Sequence, residues 1–586
     1  MRIKPVVPVK TLLLFFFCGL FLQGAAMAAS FEPAWGRDGM VVSSVSPAAP
    51  VGQMILEKGG NAVDAAVAAS FAASVAHPFS SGLGGGMFAV VHIAETGETI
   101  SLDGRETAPA SASEAFYQEN PETIRIGPYS VGVPGYLQGV WALHEKYGSL
   151  PWAELIEPAV ELAENGVPVS IWHNTIVGYA APALEAFPET RRIQTIDGAP
   201  PPLGWMLKQP DLAETLRQVQ KKGGQTLAVG PLAKKIEEAT NGVITELDLA
   251  RYKVVWRKPV TGNYRGYEVV AMPPPSSGGV LIVEMLNVLQ RFDLAALGQN
   301  SSDYVHLVAS VEKLAFADRA EFLGDPDFVE VPMDRLTSMA YADELAALLN
   351  PDGQPDVKSK LAAPPNDEGT TQITVMDRDG NAVALTQTIN TLFGSKITVP
   401  GTGVVLNNEM DDFSISPTTP NAWEAVGTEA NAVKPGKRPL SSMTPTIVLK
   451  DGRAVMALGS PQGTAIISAV LQSLLNVIDF DYDAQRAVMS PRFHHQWQPD
   501  NLNIEAEFPL DVRVRLQELG FNLQERSMLG AAQLAVYDPE SCYFFGGADG
   551  RRDSGAAGAN MGAVESVSTE QRCAVLNNSK AAAIPQ

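Results

Sequence analysis

Apolar positions along this chain follow two spacings, one suited to helices and one to strands. "NAVDAAVAASFAASVAHP" carries a dense apolar face behind Asn61, a residue suited to an N-cap, and predicts a helix. "SSGLGGGMFAVVHI" then passes from a glycine-rich loop into an apolar run of strand length. From about Gly135 to Asn350 helical spacing dominates, as in "GYLQGVWALHEKYG" and "SSDYVHLVASVEKLAFADRAEFL", with the extended "GYEVVAMPPPSSGG" between them. Strand patterns prevail from Thr370 to about Ala457, and the helical "TAIISAVLQSLLNVIDF" follows. Helices and strands mix without strict alternation. That favours an α/β (α+β) chain of packed layers over a parallel-sheet barrel.

The strongest local pattern is "DEGTTQITVMDRDGNAVALTQTIN", two alternating runs around Asp379-Gly380. Asp-Gly is a favoured two-residue hairpin turn. Centred there, the turn sets Thr371 opposite Thr388 and Thr370 opposite Ile389, and a slip of one residue changes which side chains share a face. In either register Thr370 and Thr388 are near neighbours across the ladder. The preceding "NPDGQPDVKSKLAAPPNDEG" is polar and proline-rich and reads as an exposed, mobile connection running into Thr370.

Composition narrows the classes. The 586 residues, 45% hydrophobic, suffice for one large domain or a few smaller ones. A net charge of -22 repels phosphate backbones and argues against nucleic-acid binding. At the start, Arg2, Lys4 and Lys10 precede an apolar run from Leu12 to Leu22 and a small-x-small site at Ala26-Met27-Ala28. Residues 1–28 therefore read as a secretory signal peptide, its apolar run short for a membrane span. The expected product is secreted, with the periplasm as its location and no membrane segment after signal removal. Only Cys542 and Cys573 would remain, and sequence leaves open whether they pair. The glycine-rich "SGLGGG" leads into a strand and lacks a Lys-Ser/Thr ending, which excludes a P-loop. His494 and His495 in "PRFHHQW" read as structural residues, with no spaced cluster to suggest a metal.

A backbone cut between Gly369 and Thr370 would give Thr370 both a hydroxyl nucleophile and a free α-amine. Such an amine titrates at about 7.7–8.0, close enough to neutrality to act as general base. Threonine with its own terminal amine is a recognised nucleophile arrangement, and Thr388 would position its hydroxyl. Ordinary strand threonines are the competing explanation.

Several separated motifs resolve that choice: "GGNAVDAAVA", "SGLGGGMF", "LDGRETAP", "PPPSSGG", "GTTQITVMDRDGNAV", "LNNEMDDFS", "KRPLSSMTPT" and "PRFHHQW". Together they resemble the γ-glutamyltranspeptidase (glutathione hydrolase) family of N-terminal nucleophile hydrolases, from about Ala34 to Gly558. The resemblance implies a four-layer αββα sandwich and a precursor that cleaves itself. Residues 29–369 would form a large chain and 370–586 a small catalytic chain, with a disordered tail after about 560. It implies Thr370 as nucleophile, Thr388 as its support, and backbone N–H groups of Gln462 and Gly463 as the oxyanion hole. Arg105, with the Ser441 and Ser442 hydroxyls, would clamp the γ-glutamyl α-carboxylate. Asn390, Glu409 and Asp412 would hold its α-ammonium, and Trp423 would sit on the lid "SPTTPNAWEAVG". No cofactor or metal is implied. The partners implied are small molecules: glutathione, other γ-glutamyl compounds, and amino acid or dipeptide acceptors.

Four positions depart from the family pattern. Glu409 stands where some members have glutamine, Trp423 where tyrosine is common, and Gly550 where proline is common. Gln462 replaces the first of two adjacent glycines; a positive φ there would introduce strain, and losing an oxyanion donor costs roughly 10²–10³ in rate. Two rivals share the scaffold: a cephalosporin (glutaryl) acylase, and a weakened homologue acting as a binding protein. The sequence does not set the ratio of hydrolysis to transfer.

Overall fold

The computed structural model describes residues 32–357, 369–415, 422, 428–561 and 573. The segment read as a signal peptide, most of the connection before Gly369, Trp423 and most of the tail after about 560 lie outside the described residues. Two seven-stranded antiparallel sheets organise the chain from Pro33 onward. The first runs in the order Gly555–Ala559, Gly39–Ser43, Thr371–Asp377, Ala382–Thr388, Gly86–Ile93, Glu98–Gly104, Val255–Arg257. The second runs Ala34–Gly36, Tyr543–Ala548, Gln533–Asp538, Arg453–Gly459, Thr446–Lys450, Tyr267–Ala271, Val260–Tyr264.

Alternation along the first sheet explains the layering. Val41, Ala89, Val91, Ile373, Val375, Val383 and Leu385 pack with the helices Ala48–Glu57 and Ala62–Ala76. Met40, Val42, Phe88, Val90, Met376, Ala382 and Ala384 pack instead with the second sheet. The far face of that sheet is covered by Gly278–Leu289, Ser302–Phe322 and Ala465–Ile478. The result is the four-layer αββα sandwich. Both faces of the inner strands are buried, which is why they read as near-continuous apolar runs.

Between Thr388 and Thr446 the chain does not continue in strands as the pattern suggested. Its described part is irregular, with short 3₁₀ turns at Glu409–Asp412 and Glu429–Asn431. Residues that must converge on one spot from several directions lie in this stretch. Cys542 and Cys573 form a disulfide, settling the pairing left open by sequence. Among the described residues no helix is long and apolar enough to cross a membrane.

Candidate active site

The hairpin register differs from expectation by one residue. Thr371 pairs with Gln387 and Met376 with Ala382, so continuing the ladder sets Thr370 against Thr388. The loop contains three residues, Arg378-Asp379-Gly380, with Gly380 at φ 91°. Asp377 fixes this choice. Its buried carboxylate accepts from the backbone N–H of Asp379 (3.0 Å) and Asn381 (2.9 Å), from Asn381 Nδ2 (2.8 Å), and from Ala62 N (2.8 Å) at a helix start. Burial lifts that carboxyl to about 6.

With this register the even-numbered positions of the hairpin point between the sheets. Thr370 Oγ1 and Thr388 Oγ1 stand 3.0 Å apart, both buried. Thr388 Oγ1 also accepts from Asn390 N at 2.8 Å. Asn390 holds φ 72°, a conformation asparagine tolerates better than most residues. The Thr370 hydroxyl donates to the carbonyl oxygen of Gly369, and Thr388 Oγ1 lies 3.4 Å from that oxygen. A side chain at Gly369 would meet the Thr391 backbone carbonyl within 2.7 Å, so only glycine fits before Thr370. Thr371, by contrast, points to the opposite face of the sheet.

A cavity of about 20 Å³ is lined by Thr370, Thr388, Arg105, Asn390, Glu409, Asp412, Ser441, Ser442 and Gly463, all singled out from sequence. Arg319, Thr464, Met443 and Ile466 complete it. A much larger open groove, about 1020 Å³, lies at the turn end of the hairpin beside Asp377 to Asn381, away from the threonines. Size is a poor guide here, because the small cavity holds the convergent polar groups.

Arg105 is 1% exposed. Its Nη1 donates to Glu409 Oε1, its Nη2 to Asp412 Oδ2 at 2.5 Å, and its Nε to the Pro439 carbonyl at 3.2 Å. In this state the guanidinium that sequence assigned to a substrate carboxylate is held by the acids assigned to the ammonium. Burial and the neighbouring Asp412 charge, opposed by Arg105, raise Glu409 to about 8. Glu106 is likewise raised by burial and by Glu409. The carboxyl groups thus outnumber the Arg105 guanidinium they surround, and their crowding favours protonation of some of them.

Gln462 has φ 96° and Gly463 φ 51°. The departure from glycine therefore does place a side chain in the left-handed region. That side chain is anchored: Oε1 accepts from Gly530 N, and Nε2 donates to the Met528 carbonyl at 3.3 Å. Behind the turn, Thr464 donates to Gln496 Oε1 (2.5 Å), and His494 is held between Ser468 Oγ (2.7 Å) and Gln496 (2.9 Å). Burial lowers His494 to about 4, so it is neutral in this structural role.

Two residues were missed from sequence. Arg552 Nη1 donates to the Thr370 carbonyl at 2.9 Å, holding the start of the Thr371–Asp377 strand. Arg319 enters the cavity from the last turn of Ser302–Phe322. The "ADGRRDSGAAG" segment was a signal for the first; nothing separates the second from any other helical arginine.

A family profile described as gamma-glutamyltranspeptidase matches residues 48–559. The chain is 40% identical over 533 residues to the glutathione hydrolase proenzyme of Escherichia coli K12, covering 89% of this chain and 92% of that one. It is 38% identical over 527 residues to the acylase ACY 1 proenzyme of Pseudomonas sp. SE83, covering 87% and 91%. Among solved structures, cephalosporin acylase from Bacillus halodurans superposes with a TM-score of 0.80 at 28% identity, covering 92% of this chain and 98% of that one.

Proposed function

Because the chain belongs to the γ-glutamyltranspeptidase family, we propose that it is an exported γ-glutamyltransferase and glutathione hydrolase. It cleaves γ-glutamyl amides and passes the acyl group to water or to an amino acid or short peptide. The observation that carries this is the Thr370 hydroxyl, bonded to the Gly369 carbonyl oxygen and 3.0 Å from Thr388 Oγ1.

Two reactions share these atoms. In maturation, Thr370 Oγ bonds to the Gly369 carbonyl carbon while the Gly369–Thr370 C–N bond breaks and the nitrogen gains a proton. Water hydrolyses the resulting ester, leaving a Gly369 carboxylate and a free Thr370 amine, with chains of residues 29–369 and 370–586. In turnover, that amine accepts the Thr370 hydroxyl proton as Oγ attacks the γ-glutamyl carbonyl. Backbone N–H groups at Gln462 and Gly463 receive the oxyanion. The leaving amine takes the proton and departs, and water or an acceptor amine releases the acyl group from Thr370. A cavity of about 20 Å³ holds roughly one water molecule.

An acylase reading is favoured by the Bacillus and Pseudomonas relatives. A glutaryl group, however, has no α-ammonium, and Glu409 and Asp412 would then have no such cation to receive beyond Arg105. N-terminal sequencing of the smaller fragment, with γ-glutamyl anilide turnover measured with and without glycylglycine, tests the proposal. Thr370→Ala should remain unsplit and inactive. Faster turnover of glutaryl-cephalosporin than of the γ-glutamyl anilide would replace the substrate assignment.

A further inference from the structure

The chain loses its strand neighbour on one side just before it reaches Thr370. Pairing with Gly39–Ser43 starts at Ile373 and Ser43. One step further out, Ser44 N donates to the Gln372 carbonyl at 3.1 Å and Gln372 N to Ser44 Oγ at 3.0 Å. In an antiparallel ladder the N–H and C=O of one residue face the same neighbour, and residues two apart face the same side. Thr370 therefore turns both its nitrogen and its carbonyl toward the side where the strand partner has ended. Arg552 takes that place, its Nη1 donating to the Thr370 carbonyl oxygen at 2.9 Å. Arg552 is 8% exposed, with its guanidinium carbon 5.6 Å from the Trp172 ring centre. The adjacent Asp553 carboxylate turns to Ser46 Oγ at 3.0 Å and to His77 Nε2 at 3.6 Å.

We propose that Arg552 is a positioning residue that fixes the Thr370 carbonyl and, once scission frees the α-amine, keeps that amine unprotonated near neutral pH by the charge it holds beside it. This rests on the reading of Thr370 given above. The carbonyl oxygen and nitrogen of one extended residue are close, so the guanidinium stands within about 6 Å of the freed amine. A like charge at about 4–6 Å disfavours the protonated form and would lower the amine from its ordinary 7.7–8.0 by about 1–2 units. A general base accepts a proton only when unprotonated, so the lower value makes the working form the prevalent one at neutrality. Arginine keeps its charge across the whole range. Across the cavity, Arg105, Arg319, Glu409 and Asp412 also face Thr370. On the Arg552 side lie Asp553, His77 and His173; burial lowers both histidines, His173 to about 3, so they are neutral while the amine titrates. Glu409 is raised to about 8 by burial, with Arg105 opposing and Asp412 adding, a balance that Arg552 does not enter.

The test is the pH dependence of kcat/KM for a γ-glutamyl anilide in the wild-type protein, Arg552→Gln and Arg552→Lys, after gel verification of maturation. The acid limb of that profile reports the base of the free enzyme. Arg552→Gln keeps a hydrogen-bond donor and loses the charge, so its acid limb should move up by about 1–2 units. On the limb that is a loss of roughly 10–100-fold, recovered to within about 3-fold at alkaline pH. Arg552→Lys keeps the charge and should titrate within about 0.5 unit of the wild type. A loss equal at every pH, an unmoved limb in Arg552→Gln, or a lysine variant that titrates like the glutamine one would overturn the proposal. Failure of both variants to mature would make Arg552 a scaffold residue, and an unsplit glutamine variant beside a split lysine one would assign the charge to scission; either overturns it too. A wild-type small fragment that does not begin at Thr370 would instead remove the nucleophile assignment itself.

Discussion

Replacing Gln462 by alanine and by glycine separates two opposing contributions at the turn proposed to receive the oxyanion. A non-glycine residue in the left-handed region is strained by about 1–2 kcal/mol, and Gln462 sits there at φ 96°. Its side chain bonds the Gly530 N–H and the Met528 carbonyl. Alanine keeps the strain and removes both bonds. The orphaned N–H costs about 1–3 kcal/mol and the longer bond about 0.5–1, so Gln462→Ala should lose roughly 2–4 kcal/mol. Glycine loses the same bonds but relieves the strain, less about 0.4–1 kcal/mol for its freer unfolded chain. Gln462→Gly should therefore fall about 0.5–1 kcal/mol above alanine and still below the native protein. Urea denaturation in a single-chain Thr370→Ala background measures the series. A glycine variant more stable than the parent would show that strain outweighs the side-chain anchor and refute this reasoning.

Thr388→Val keeps a β-branched shape and removes the hydroxyl 3.0 Å from Thr370, so folding should persist while maturation and kcat each slow by roughly 10²-fold, read by gel and anilide assay. Burial raises Glu312 to about 8, so between about pH 4.5 and 8 the folded chain holds a proton the unfolded chain has released. Stability falls as pH rises through that window, and Glu312→Gln should flatten the slope in denaturation series across it. Cys573→Ser opens a loop of 31 residues and should cost about 3–4 kcal/mol, with the native pairing visible as a mass increase on reduction.

Much of the site was legible because its residue types sit in local patterns. The alternation around Asp379-Gly380 placed Thr370 near Thr388 without any tertiary information. The register was not legible: Asp-Gly suits a two-residue turn and a three-residue loop ending in a left-handed glycine alike, and the buried Asp377 carboxylate decides between them. The acids of "NNEMDDF" were readable as a charged turn, but not their embrace of Arg105 from more than 300 positions away. Arg319 was invisible for a similar reason. Only folding brings its helix end beside Ser277 and Ser442.

The strand Thr371–Asp377 is flanked by Gly39–Ser43, from before the proposed scission point, and by Ala382–Thr388, from after it. Severing the backbone at Thr370 therefore creates two polypeptides woven through one another, with a shared ladder at the centre of the molecule. The Cys542–Cys573 bridge lies wholly on one side of the cut and ties nothing across it. Parting the pieces would mean dismantling the inner sheet, so their cohesion is the stability of the whole fold. Fragments made separately would lack the uninterrupted thread that wove them, and the working assembly is best reached by folding first and cutting afterwards.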